Sequence, residues 1–146
     1  MASNAWWAYG SKFKIGDGAT PEVFTAVAEV MDIPVPPLNR ESIRVSNQDS
    51  PDGYHEDIPG WRDGGSVTFS MNWLPSDATQ DGSTGLFAQF NDNANHNYQL
   101  VTPTAVGKTI SFSGHITNFA PTMPLNEQGK LDVTIKMAGA FTIAAS

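Results

Sequence analysis

The chain has no cysteine. That excludes disulfides, thiolate zinc sites and cysteine nucleophiles, and it fits folding in a reducing cytoplasm. Cations are scarce: Lys plus Arg is 8 against 15 Asp plus Glu, a formal net charge of -7. Grip on a phosphate backbone rests on basic side chains displacing counterions, so tight nucleic-acid binding is not expected. No apolar run approaches the ~20 residues of a membrane span, and MASNAWWAYG lacks a charged n-region followed by an apolar core. The sequence therefore predicts a soluble protein with no secretory signal and no membrane partner. Histidines are few, and His55, His96 and His115 form no HxH or HxxxH pair, so no metal site is expected. No serine stands in GxSxG, and nothing singles out a carboxylate pair for glycoside hydrolysis. The expectation is no catalytic residue, no cofactor and no enzyme.

What is present centres on Val45 to Gly65, VSNQDSPDGYHEDIPGWRDGG. Gly53, Gly60, Gly64 and Gly65 admit unusual backbone angles, and Pro51 and Pro59 cannot donate a hydrogen bond, so the stretch reads as an irregular loop. Loops of this length in compact domains are usually functional or disordered. Tyr54, Ile58 and Trp61 are too apolar for a floppy linker, so the loop is expected to be ordered by what it touches, another molecule included. Asp49, Asp52, Glu56 and Asp57 gather acidic oxygens there without EF-hand spacing, and turn formation accounts for them better than calcium.

The remaining pattern is mostly strand. Lys12 to Ile15 gives a short strand before the turn Gly16-Asp17-Gly18. Val23 to Val30 admits a helix through its Ala and Glu, but reads better as one strand with Phe24, Ala26, Ala28 and Val30 on a side, stopped by Pro34, Pro36 and Pro37. Ser42 to Val45 enters the long loop. Beyond it, Val67, Phe69, Met71 and Trp73 alternate with Ser66, Thr68, Ser70 and Asn72, the mark of a half-buried strand. Ser83 to Asn91 is the predicted helix, capped at or near Ser83, with Leu86, Phe87 and Phe90 facing a sheet. Tyr98 to Thr102 and Thr109 to Thr117 are strands, with Gly114 suggesting a bulge or bend. The last run alternates from Leu131 through Val133, Ile135, Met137 and Phe141 to Ile143, roughly 40 Å of strand unless Gly139 bends it. The fold class is mainly antiparallel β, a sandwich or partly open barrel with one short helix, and the final strand would be an exposed edge open to pairing.

Two features leave alternatives open. Trp6, Trp7 and Tyr9 either fold back onto their own domain or dock on a neighbouring subunit. The hydroxyl-rich face of Ser66, Thr68, Ser70, Asn72, Ser111, Ser113, Thr117 and Thr134 is either an ordinary solvated sheet face or a surface past which a polyanion slides unheld. A carbohydrate-binding β-sandwich is the rival from another class, with Trp6, Trp7, Trp61 and Trp73 as stacking platforms.

From Lys14 to Trp73 the chain resembles the major tail tube proteins of lambda-like phages with long non-contractile tails. The likeness is carried by Gly16-Asp17-Gly18 with Phe24 and Val27, Arg40-Glu41, Asp49-Ser50 with Gly53-Tyr54, and Ile58-Pro59-Gly60 leading to Gly64-Gly65. It is weaker, but compatible in element order, from there to Ile143. The resemblance implies hexameric rings whose sheets join into a barrel lining a lumen, which holds the tape measure protein and phage DNA at different stages. It implies residues 1–10 as an arm on a single domain of residues 11–146. Asp49, Ser50, Pro51, Asp52, Gly53, Tyr54, Ile58, Pro59 and Trp61 would make contacts between rings. It places the protein in the virion tail, joined to other tail proteins at the tube ends and assembled in the host cytoplasm. The Trp6-Trp7 pair has no counterpart in the family pattern, and a tail terminator ring of the same fold is a further reading.

Overall fold

A computed structural model describes residues 3–145; Met1 and Ala2 of the expected arm, and Ser146, lie outside the described residues. The chain runs through β1 (Lys12–Gly16), β2 (Phe24–Ala26), β3 (Val30–Asp32), β4 (Leu38–Arg44), β5 (Asp57–Gly64) and β6 (Ser66–Asn72). It continues through α1 (Leu86–Asn91), β7 (His96–Val101), β8 (Lys108–Thr122), β9 (Lys130–Met137) and β10 (Thr142–Ala145). The main sheet has the antiparallel order β2-β1-β7-β8-β9-β6-β3, with β10 also on β8; β4 and β5 form a separate two-stranded ribbon.

β2 and β3 lie at opposite ends of the sheet order, yet only Val27, Ala28 and Glu29 separate them in the chain. The sheet therefore rolls until its ends nearly meet, a sandwich short of a closed barrel. Its apolar faces meet inside. Phe13 of β1 stacks on Phe69 of β6, with ring centroids 4.2 Å apart and planes 3° from parallel. Leu131, Val133 and Ile135 of β9 are fully buried beside them, as are Met71, Leu86 and Tyr98.

β8 serves both layers. Val101 to His96 of β7 pair with Thr109 to Gly114, and Met137 to Lys130 of β9 pair with Gly114 to Thr122. The register slips between Ile116 and Asn118, three strand positions past the glycine. Gly114 has another reason to lack a side chain: an added methyl would run into the Lys136 carbonyl oxygen of β9.

Four expectations need correction. Val23 to Val30 is two strands, because the Val27 amide bonds back to the Phe13 carbonyl at 2.8 Å while Glu29 turns left-handed at φ 53° and carries the chain across. The final run is not an exposed edge: it breaks at Gly139, the bend allowed for, whose φ of 89° only glycine adopts readily, and β9 lies between β8 and β6 while Ile143 is exposed. The helix begins at Leu86, not Ser83, because the Asp81 carboxylate accepts from the amides of Ser83, Thr84 and Gly85 and holds them in a preceding turn. Leu86 and Gln89 are its buried residues, while Phe87 and Phe90 are half exposed and lie against Phe119 of β8. Finally, residues 57–64 are strand β5, so regular structure does cross the stretch read as loop.

Gln80 was not foreseen at all. It is buried, donates to the carbonyls of Ala28 and Asn72 (both 3.1 Å), and accepts from the Leu74 amide at 2.8 Å. One side chain thus ties the β2–β3 link to the end of β6. Gln80→Leu keeps the volume and orphans these backbone groups, and should lower the unfolding free energy measured in urea by roughly 3 kcal/mol.

Acid should weaken the neighbouring turns. The Thr79 hydroxyl and amide hold the Asp77 carboxyl below its ordinary range, and the Thr84 and Ser83 amides do the same for Asp81. Because the folded values are depressed, the unfolded chain binds more protons in acid. Their contribution is complete above the unfolded value near 3.8 and is lost as pH falls through the folded one. Urea midpoints taken between about pH 5 and pH 2.5 should fall less steeply in Asp81→Asn than in the parent.

Candidate functional site

The β4–β5 ribbon stands outside the rolled sheet, and every residue of β4 is exposed. Its pairing runs from Arg44 opposite Asp57 to Leu38 opposite Gly64. Arg40 faces Arg62 and Ser42 faces Pro59, so Gly60 and Trp61 together oppose Glu41 in a bulge. Pro59 is tolerated because a two-stranded ribbon asks nothing of its outer edge. Ile43 and Ile58 are direct partners, both about half exposed.

The root of the ribbon is tightly seated. A methyl added to Gly64 would lie 2.6 Å from the Gly139 carbonyl oxygen, and one on Gly65 would lie 2.8 Å from the Pro37 ring. The Gly65 amide donates to the Pro37 carbonyl at 2.8 Å, and Lys136 of β9 donates to the Gly64 carbonyl and to Asp63. These glycines mark close approach, where the sequence suggested loop.

Residues 45–56, the tip of the ribbon, make hydrogen bonds among themselves. The Val45 amide donates to the Glu56 carbonyl at 2.9 Å, Glu56 N–H to the Ser46 hydroxyl at 2.8 Å, and the Ser50 hydroxyl to the Glu56 carboxylate at 2.9 Å. Asn47 accepts the Asp49 amide, and Pro51–Gly53 make a 3-10 turn in which Asp52 and Gly53 are both left-handed. What stays uncovered are the large side chains: Tyr54 is 76% and Trp61 84% exposed. Asp49, Asp52, Glu56 and Asp57 do not converge: Arg44 pairs with Asp57, and among the described residues no three acidic or histidine groups sit close enough to share a cation.

The arm's aromatic residues lie away from the core. Trp7 stacks on Tyr9 at 5.0 Å beside β3, and Trp6, Trp7 and Tyr9 all remain exposed. Trp73, by contrast, packs against the core, so the tryptophans make no common platform for a sugar.

The hydroxyl-rich face is gathered on one side of the sheet. Ser66, Thr68, Ser70 and Asn72 of β6 lie opposite Lys136, Thr134, Asp132 and Lys130 of β9, and Ser111, Ser113 and Thr117 continue it along β8. The groups bond to one another: Thr68 to Thr134 at 3.0 Å, Ser70 to Asp132 at 2.8 Å, Ser113 to Asn97 at 2.8 Å. His115 reaches Asn95 and His55 reaches Ser46, both at 3.2 Å. Two exposed apolar residues went unnoticed in sequence, Met123 and Leu125 in the β8–β9 turn, because no periodicity marks them.

Over residues 7–144 the sequence matches the family described as lambda phage tail tube protein, TTP. The chain belongs to the lambda phage tail tube protein family. Comparison with curated proteins gave no match. Among solved structures, a chain in the tail of an empty gene transfer agent particle, refined with C6 symmetry, aligns with a TM-score of 0.75 at 19% identity, covering 97% of this chain and 100% of that one. A chain of the native gene transfer agent virion aligns at 0.74 with 17% identity, over 97% and 100% of the two chains. The SPP1 tail tube aligns at 0.66 with 8% identity, over 93% of this chain and 77% of that one. At these identities the structural likeness is one of fold. As a tail tube family member the chain is a structural phage tail component, and its uncovered ribbon is the feature its own core does not explain.

An unsupported ribbon exchanges its amides readily. In dilute, unassembled protein, hydrogen exchange should run at least about a hundredfold faster in β4 and β5 than in β9.

Proposed function

We propose that copies of this chain form hexameric rings, and that these stack into the tube through which phage DNA passes to the host. The observation that carries this reading is the β4–β5 ribbon. Two strands alone are at best marginally stable in water, yet this pair and its connection leave Tyr54 and Trp61 in solvent and Ile43 and Ile58 half exposed. Burying Tyr54, Ile58 and Trp61 against the next ring would contribute ~1.5–3 kcal/mol each before ordering costs, and the contact recurs around every ring. The nine tip and ribbon residues from Asp49 to Trp61 act between rings, and the arm of residues 1–10 reaches a neighbour through Trp6, Trp7 and Tyr9, the rest forming one domain.

The hydroxyl-rich face suits the lumen. Several of its hydroxyls bond to side chains on neighbouring strands and its charges are mixed, so it gives a phosphate backbone little to hold. DNA and the tape measure protein occupy the lumen in turn, other tail proteins join the tube ends, and assembly takes place in the host cytoplasm. The C6 symmetry of the gene transfer agent tail supports the choice of six.

Trp61→Ala should fold as the parent does, by circular dichroism and thermal melting, while electron microscopy shows no tubes at concentrations where the parent forms them. Normal tubes from this variant would refute the role given to the ribbon.

A further inference from the structure

Every arginine of the chain, Arg40, Arg44 and Arg62, lies in the β4–β5 ribbon. Arg44 is paired with Asp57 at 3.3 Å. Arg40 and Arg62 are direct cross-strand partners, so their side chains leave the ribbon on one face. Like charges in that relation repel, and neither makes an ion pair or side-chain hydrogen bond among the described residues. A protein with a net charge of -7 thus places two of its few cations against each other in solvent. Of the two acids that adjoin them in the chain, Glu41 makes no ion pair with either among the described residues, and Asp63 is engaged by Lys136 at 3.2 Å.

The two arginines line a cleft of about 480 Å³ whose other walls include Leu38, Gly139 and Ala140, at the ribbon root beside the β9–β10 turn. Asn39, Asp63 and Gly64 complete the lining, and with Asp63 held by Lys136 the cleft combines two unpaired guanidiniums with apolar wall. The opposite end of the same ribbon has the matching chemistry. Asp49 and Asp52 are exposed with no hydrogen bond or ion pair to their carboxylates among the described residues, and Tyr54 stands beside them, 76% exposed.

We infer that the tip of one copy seats in the root cleft of the next, with the Asp49 and Asp52 carboxylates on the Arg40 and Arg62 guanidiniums and the Tyr54 ring against Leu38, Gly139 and Ala140. Guanidinium and carboxylate match in geometry, often with two parallel hydrogen bonds, and the second copy relieves the repulsion the first carries. The surfaces that meet are different, tip on root, so the contact propagates in one direction without closing, as a filament requires. This rests on the reading that copies stack, and it names the partner of the ribbon as an identical copy's acidic tip.

Charge exchange tests it. R40E/R62E and D49K/D52K should each raise the protein concentration needed for tube growth by about tenfold or more, read by sedimentation and electron microscopy. An equimolar mixture of the two, and the fourfold variant R40E/R62E/D49K/D52K, should recover growth, because each restores opposite charges across the contact. Parent tubes should grow less readily at 1 M salt than at about 0.1 M. Tubes from either double variant at the parent's concentration would overturn the contact and leave stacking intact. A loss that neither the mixture nor the fourfold exchange restores would overturn it too. So would R40E/R62E tubes that grow normally but retain less duplex DNA, since the arginines would then serve the nucleic acid. A parent that forms no tubes while remaining folded would instead fail the stacking reading itself.

Discussion

Because only Val27, Ala28 and Glu29 join the strands at the two ends of the sheet order, the sheet has to roll, and most other features follow from that short tether. Rolling brings β1 over β6, which is why Phe13 and Phe69 lie parallel in van der Waals contact. It also creates a seam where main-chain groups of the tether and of β6 would lack partners, and Gln80 supplies them from the 74–85 turns. β8 must reach across both layers, and its bare Gly114 lets β9 come close enough to share it.

What the roll cannot enclose is the segment between β3 and β6. Its strands pair only with each other, so the backbone is served locally while the large side chains find no cover in their own chain. The contrast with the hydroxyl-rich face is chemical. There, Thr68 bonds to Thr134 and Ser70 to Asp132 across neighbouring strands. The chain thus carries one projection with uncovered apolar side chains and one face of small polar groups.

The strands were readable wherever one face is buried, because period-two alternation records burial directly: β6 and β9 follow it through Met71 and Met137. β5 was not readable for the converse reason. With both faces in solvent it has no alternation to show, and Pro59, Gly60 and Gly64 mimic a loop. The break at Ala28–Glu29 is set by tertiary demands of the seam, which local propensity does not encode. In the candidate site, Tyr54, Ile58 and Trp61 stood out as apolar bulk in a polar stretch. The Arg40–Arg62 opposition was hidden, since it exists only once the register is known.

Two consecutive glycines at the base of a projecting arm suggest a swivel. Gly64 and Gly65 are the reverse, since each is hemmed in by atoms that leave no room for even one carbon, and the Pro37, Lys136 and Met137 hydrogen bonds brace them. The joint is therefore a bracket. The ribbon is cantilevered from the sheet at a fixed angle, so the pitch of any assembly that grips it is written into the subunit before two copies meet.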